Sequence, residues 1–132
     1  MAGLQSENES FVSTANGIND AAFEVTRELI IQHQGIKVVD LVVQNFDERS
    51  HPLHLHGHKF WVLAQNHGYF SGYEHIRLDN SNPLRRDTAT VEGFGWILLR
   101  FVTDNPGIWA FHCHNAWHAE AGMLMQFLNQ PD

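Results

Sequence analysis

The lone cysteine of this chain, Cys113, sits between His112 and His114, and His118 and Met123 follow within the stretch HCHNAWHAEAGM, residues 112–123. If Trp109 to His114 is an extended strand, successive side chains alternate faces, so His112 and His114 point one way and Cys113 the other. One strand then serves two metal sites. A thiolate, imidazoles and a thioether are the soft and borderline donors of a blue-copper centre, a trigonal His₂Cys set with a long axial Met. Cys113, His118 and Met123 supply three of those four groups. The two imidazoles on the opposite face suit a second, histidine-rich centre, reached by electrons along the strand backbone.

The missing donor must come from elsewhere, and the segment HPLHLHGHKF, residues 51–60, crowds His51, His54, His56 and His58 into eight positions. Isolated histidines such as His33, His67 and His75 read as ordinary core or surface residues. Two dense clusters in one short chain do not.

HPxHLHGH followed by HCHxxxHxxxGM resembles the third and fourth copper-binding segments of multicopper oxidases, in order and in spacing. The resemblance covers roughly residues 36–128 and is strongest to the C-terminal cupredoxin domain of fungal laccase-like enzymes. It implies that His51, Cys113 and His118 bind the type 1 (blue) copper with Met123 axial. It further implies that His54 binds the type 2 copper of a trinuclear cluster, and that His56, His112 and His114 bind its type 3 pair. His58 lies inside the motif but is not a ligand in the family, and is expected to pack behind the ligands. In the family the cluster lies between the first and last cupredoxin domains, each giving four histidines. Only one set of four is present, so the resemblance implies that N-terminal cupredoxin domains are needed to complete the cluster and that the 132-residue chain is a fragment.

The remaining sequence is consistent with an all-β, Greek-key cupredoxin β-sandwich with short helical turns. Residues 1–22 are polar and lack the apolar stretch of a signal peptide, so they read as a separate N-terminal segment before a domain spanning 23–132. After about Glu24, short β-type runs are punctuated by Gly, Pro and Asn. Lys37 to Gln44 alternates Val38, Asp40 and Val42 with Val39, Leu41 and Val43, and feeds a histidine loop. Further strands are expected at Phe60–Gln65, Asp87–Val91, Trp96–Val102, Ile108–His112 and Met123–Leu128, with a helical turn over Ala116–Ala121. Asp87, in the segment Asn82 to Thr88, is expected to cap its loop or pair with an arginine. Trp61 and Trp117, near ligands in sequence, are expected to help exclude water from copper.

A net charge of −7 with no run of Lys or Arg argues against nucleic acid and anionic membranes as partners. No apolar run reaches membrane-spanning length, since Trp96–Val102 is broken by Arg100. Metallohydrolases and cupins also use HxH pairs. Gly57-His58-Lys59 offers neither the Asp-x-His continuation of the former nor the glutamate of the latter. A stand-alone blue-copper carrier would have no use for His54, His56, His112 and His114. The resemblance therefore implies a secreted copper oxidoreductase that oxidises phenolic or aromatic donors and reduces O2 to water. Its rival is a ferroxidase, for which Asp47, four residues before His51, would be the relevant acid. Where relatives commonly carry an apolar residue after the HCH triplet this chain has Asn115, and Glu120 is the only acid on that loop.

Overall fold

The computed structural model describes residues 12–13, 17–18, 29–78, 81–113 and 124–132, and every structural statement below concerns these. Eleven strands are present: β1 (Val12–Ser13), β2 (Gly17–Ile18), β3 (Leu29–Gln34), β4 (Val38–Gln44), β5 (His51–Leu55), β6 (Phe60–His67), β7 (Leu84–Arg86), β8 (Thr88–Val91), β9 (Gly95–Val102), β10 (Gly107–Cys113) and β11 (Leu124–Gln130). A 3-10 turn covers Tyr73–His75. β1 and β2 form a small hairpin, and the rest build two sheets with strand orders β3-β11-β10-β5-β8 and β4-β9-β6-β7. The chain passes from one sheet to the other at each of the connections β3 to β4, β4 to β5, β5 to β6, β7 to β8, β8 to β9 and β9 to β10, the habit of a Greek-key sandwich. The expected helical turn at Ala116–Ala121 lies outside the described residues.

Period-two patterning explains most of the sandwich. Leu53, Leu55, Phe111 and Phe127 from the five-stranded sheet meet Phe60, Ile97, Leu99 and Phe101 from the other. Phe101 and Phe111 each stand edge-on to Phe127, at centroid distances of 5.2 and 6.2 Å. Fully burying each such ring contributes about 1.5–3 kcal/mol. β9 is apolar on both faces because it serves two clusters. Ile97, Leu99 and Phe101 face the interior, whereas Trp96 and Leu98 join Leu63 in a second cluster on the outer face of the four-stranded sheet. A bulge between Val62 and Ala64 gives β6 an extra residue there, so that Ala64 as well as Leu63 faces that cluster.

Three features depart from the sequence reading. The histidine segment expected as a loop is a strand, β5, hydrogen-bonded between β10 and β8. Within this strand Pro52 is paired with Thr90 of β8. Leu84–Arg86, expected as a loop entering a strand, is itself an exposed edge strand paired with Phe60–Val62. Finally, β3 was not signalled by its sequence LIIQHQ, which lacks alternation, and it pairs parallel to β11 while every other pairing is antiparallel.

Candidate metal centre

Register decides which side chains meet. His112 lies opposite His54, and Cys113 opposite Leu53, across the β10–β5 pair. Leu53, Leu55 and Phe111 face the sandwich interior, so alternation sends Cys113 inward and His54 and His112 outward. The expected division of faces along this strand is present as far as residue 113. His114, His118 and Met123 lie outside the described residues, as do Asn115, Trp117 and Glu120.

On the inner face, the Cys113 thiol is fully buried and His51 is 2% exposed, with Sγ 3.8 Å from His51 Nδ1. The other ring nitrogen, Nε2, lies 3.2 Å from Asp47 Oδ2. A carboxylate accepts only, so Nε2–H donates and Nδ1 turns its lone pair toward the sulfur. Asp47 is held below the usual carboxylate range, first by the Arg49 backbone N–H on its Oδ1 and further by the His51 imidazole, and so remains an acceptor. Asp47 is itself placed by its neighbour, whose Asn45 Oδ1 accepts the Asp47 N–H at 2.9 Å.

On the outer face, the rings of His54, His56 and His112 cluster with centroids 4.7, 5.0 and 5.8 Å apart. His54 Nδ1–H donates to the Asp87 carbonyl at 2.9 Å, with Thr88 Oγ1 3.0 Å away. His112 Nδ1–H donates to the Cys113 carbonyl at 2.8 Å. Both rings therefore carry their lone pair on Nε2. His56 Nε2 lies 2.8 Å from His112 Nε2. Asp87 was expected to cap a loop or meet an arginine. Instead its carbonyl and, at 3.8 Å, its carboxylate address His54, because the β5–β8 register places Thr88 opposite His54. Trp61 does not approach the histidines. It packs on the outer face of the four-stranded sheet, with the Arg85 guanidinium 4.9 Å above its ring.

The donor chemistry fits copper on both faces. A buried thiol beside an oriented imidazole is the soft pair a blue centre needs, and nitrogen and sulfur donors about 2.0 and 2.3 Å from one ion stand apart by a distance comparable to the 3.8 Å observed. Among the described residues no three His, Cys, Asp or Glu side chains form a group that holds an ion alone.

Residues 3–132 match the family model for multicopper oxidase. The chain belongs to the multicopper oxidase family. Similar proteins include an iron transport multicopper oxidase of Schizosaccharomyces pombe, 46% identical over 72% of this chain and 16% of that protein. An L-ascorbate oxidase of Nicotiana tabacum is 44% identical over 85% of this chain and 18% of its own length. Among solved structures, a leucine-to-methionine variant of the laccase from B. aclada superposes with a TM-score of 0.71 at 37% identity, over 78% of this chain and 20% of that one. The chain thus spans less than a fifth of the two curated relatives' lengths. Membership of a multicopper oxidase family implies copper as cofactor, at a type 1 centre and a trinuclear cluster.

Proposed function

We propose that residues 23–132 are the C-terminal cupredoxin domain of a secreted, laccase-like oxidase that couples oxidation of phenolic or aromatic donors to reduction of O2 to water. The observation that carries this reading is the opposite facing of two adjacent residues. Cys113 joins His51 inside the sandwich while His112 joins His54 and His56 outside it. His51, Cys113, His118 and Met123 would hold the type 1 copper, His54 the type 2 ion, and His56, His112 and His114 the type 3 pair. Copper, when bound, supplies one-electron oxidation of the donor at one centre and four-electron reduction of O2 at the other.

The chain's own groups prepare both faces. Asp47, Asp87 and the Cys113 carbonyl each accept an N–H from the far side of a ring and so fix its tautomer and orientation. Burial of Cys113 and His51 keeps water from the sulfur. The peptide joining 112 to 113 is the shortest covalent path between the faces. Around Asp47, Phe46, Tyr69 and Phe94 are exposed, with Phe46 and Tyr69 5.9 Å apart and the Phe94 N–H bonded to the Asp47 carbonyl. These rings offer an aromatic donor a stacking surface beside the acid that touches His51.

Oxygen uptake tests the proposal. The 132-residue chain alone should consume no O2 with a phenolic donor, and uptake should appear once domains carrying four further histidines are supplied. Steady turnover by the chain alone would sink it. The second reading, ferroxidation, is favoured by the Asp47–His51 hydrogen bond, since a carboxylate so placed can bind a ferrous ion. In the complete protein Asp47→Ala separates the two. A phenol oxidase keeps phenol turnover, whereas a selective collapse of kcat/KM for Fe(II), with Fe(II) the better substrate beforehand, marks a ferroxidase.

A further inference from the structure

We infer that His58 is a positioning residue that sets the backbone of His56, through a four-residue clamp closed by Asn105, Trp109 and Asn129. The inference rests on the reading of His56 as a copper ligand. The turn after β5 leaves His56 and passes through Gly57 at φ +71, with the Trp109 ring laid so closely on Gly57 that no Cβ fits. Four hydrogen bonds hold that turn. The His56 N–H donates to the Ala110 carbonyl at 2.9 Å, and Asn105 Nδ2 donates to the Gly57 carbonyl at 2.9 Å. His58 Nδ1 lies 3.1 Å from the His56 carbonyl, and Asn129 Nδ2 lies 3.0 Å from His58 Nε2.

The orientation of Asn129 determines the tautomer of His58. Asn129 Nδ2 also lies 3.2 Å from the Asn105 carbonyl, which accepts only, so the amide nitrogen must be on that side. His58 Nε2 then faces an N–H and must accept, which puts the ring proton on Nδ1, where it donates to His56. The amide is spent on this duty: Asn129 is 2% exposed and its Oδ1 has no hydrogen-bond partner. Trp109 completes the clamp, its Nε1–H donating to the same Asn105 carbonyl at 2.9 Å while its ring meets His58 edge-on at 5.8 Å. His58 thus ties the carbonyl of the residue whose ring faces His112 to three side chains from β10, β11 and the loop before β10.

Two measurements test this. In the wild-type chain, imidazole ¹⁵N spectra should show His58 as the Nδ1–H tautomer, and a predominant Nε2–H form overturns the inference whether or not any variant folds. The second measurement titrates Cu(II) against a competing chelator in a Cys113→Ser background, which removes the thiolate of the inner face, and His56→Ala identifies the binding that belongs to the histidine face. His58→Asn places an amide N–H where Nδ1 was and should bind copper within about threefold of the parent, whereas His58→Gln reaches toward Asn129 only and should lose about tenfold, the scale on which supporting groups act on metal affinity. Both variants lose the ring contacts with Phe101 and Trp109, so a merely structural role would weaken them equally, and equal affinities overturn the inference. His56→Ala is the reference. If it binds as tightly as the parent, the ligand reading of His56 has failed and the inference falls with it, a result distinguishable from failure of the clamp alone.

Discussion

Gly57→Ala should be among the most destabilising single-methyl additions the chain can receive. A Cβ at this position would stand 2.4 Å from Trp109 Cε3 and 2.5 Å from Cδ2. Carbon atoms rest at about 3.5–4.0 Å, so the indole must retreat by roughly 1 Å. The ring is not free to do so, because its Nε1–H is bonded to Asn105 at 2.9 Å. Left-handed backbone at φ +71 costs an alanine about 1–2 kcal/mol. Overpacking adds about 1–3 kcal/mol. The smaller unfolded-state entropy of alanine returns only about 0.4–1 kcal/mol. The net loss is about 2–4 kcal/mol, a large share of the 5–15 kcal/mol typical of a domain. Gly68→Ala supplies the control, since φ there is +80 and a Cβ meets nothing within 4 Å. It should lose only the backbone term, about 1 kcal/mol. Urea unfolding of both variants gives the comparison. If the two losses agree within about 0.5 kcal/mol, near the scatter of additive mutational effects, the contact of Trp109 with the turn contributes nothing and the clamp is not rigid.

The other expectations are briefer. Copper-loaded wild type should show intense thiolate charge-transfer absorption that Cys113→Ser abolishes, and its absence from folded, copper-loaded wild type would refute the blue-site assignment. Gln126 is 1% exposed with neither amide atom hydrogen-bonded, so Gln126→Leu should stabilise the isolated chain by about 1–3 kcal/mol in thermal unfolding; a loss would mean that the amide has a partner in solution. Asp40 is held below the ordinary carboxylate range chiefly by its Arg100 hydrogen bond. A depressed folded-state value gives stability that is present above the unfolded value, near 3.9, and is lost as pH falls through the folded one. Asp40→Asn should therefore be less stable than wild type at pH 7, by on the order of 1 kcal/mol, and the urea midpoints should converge in that acid window. Parallel curves would exclude the linkage.

What sequence could foresee here is what depends on alternation within one strand. The outward His112 and inward Cys113 follow from period two alone, and so do the interior Val39, Leu41 and Val43 of β4. What it could not foresee depends on register between strands far apart in the chain. Asp87 reaches His54 only because β8 lies beside β5 in one specific alignment, and Asn105 and Asn129 reach the 56–58 turn from the loop before β10 and from β11. Proximity along the chain misleads for the same reason. Trp61 follows the histidine segment by a few residues, yet β6 belongs to the opposite sheet and turns that ring to its outer side. Polar residues of ordinary type, such as Asn105 and Asn129, carry no local signature of such a role.

The strand order has a consequence for biosynthesis. β11, residues 124–130, lies in the interior of the five-stranded sheet, with β10 antiparallel on one side and β3 parallel on the other. Phe127 fills the centre of the core from that strand. A ribosome that has released β3 to β10 has therefore made a chain whose first sheet is split, with β3 lacking its in-sheet neighbour and the Phe127 site empty. Non-local pairing of this kind is slow and leaves strand edges open to association until it closes. The histidines of β5 and β10 thus leave the ribosome ahead of the strand that closes their sheet.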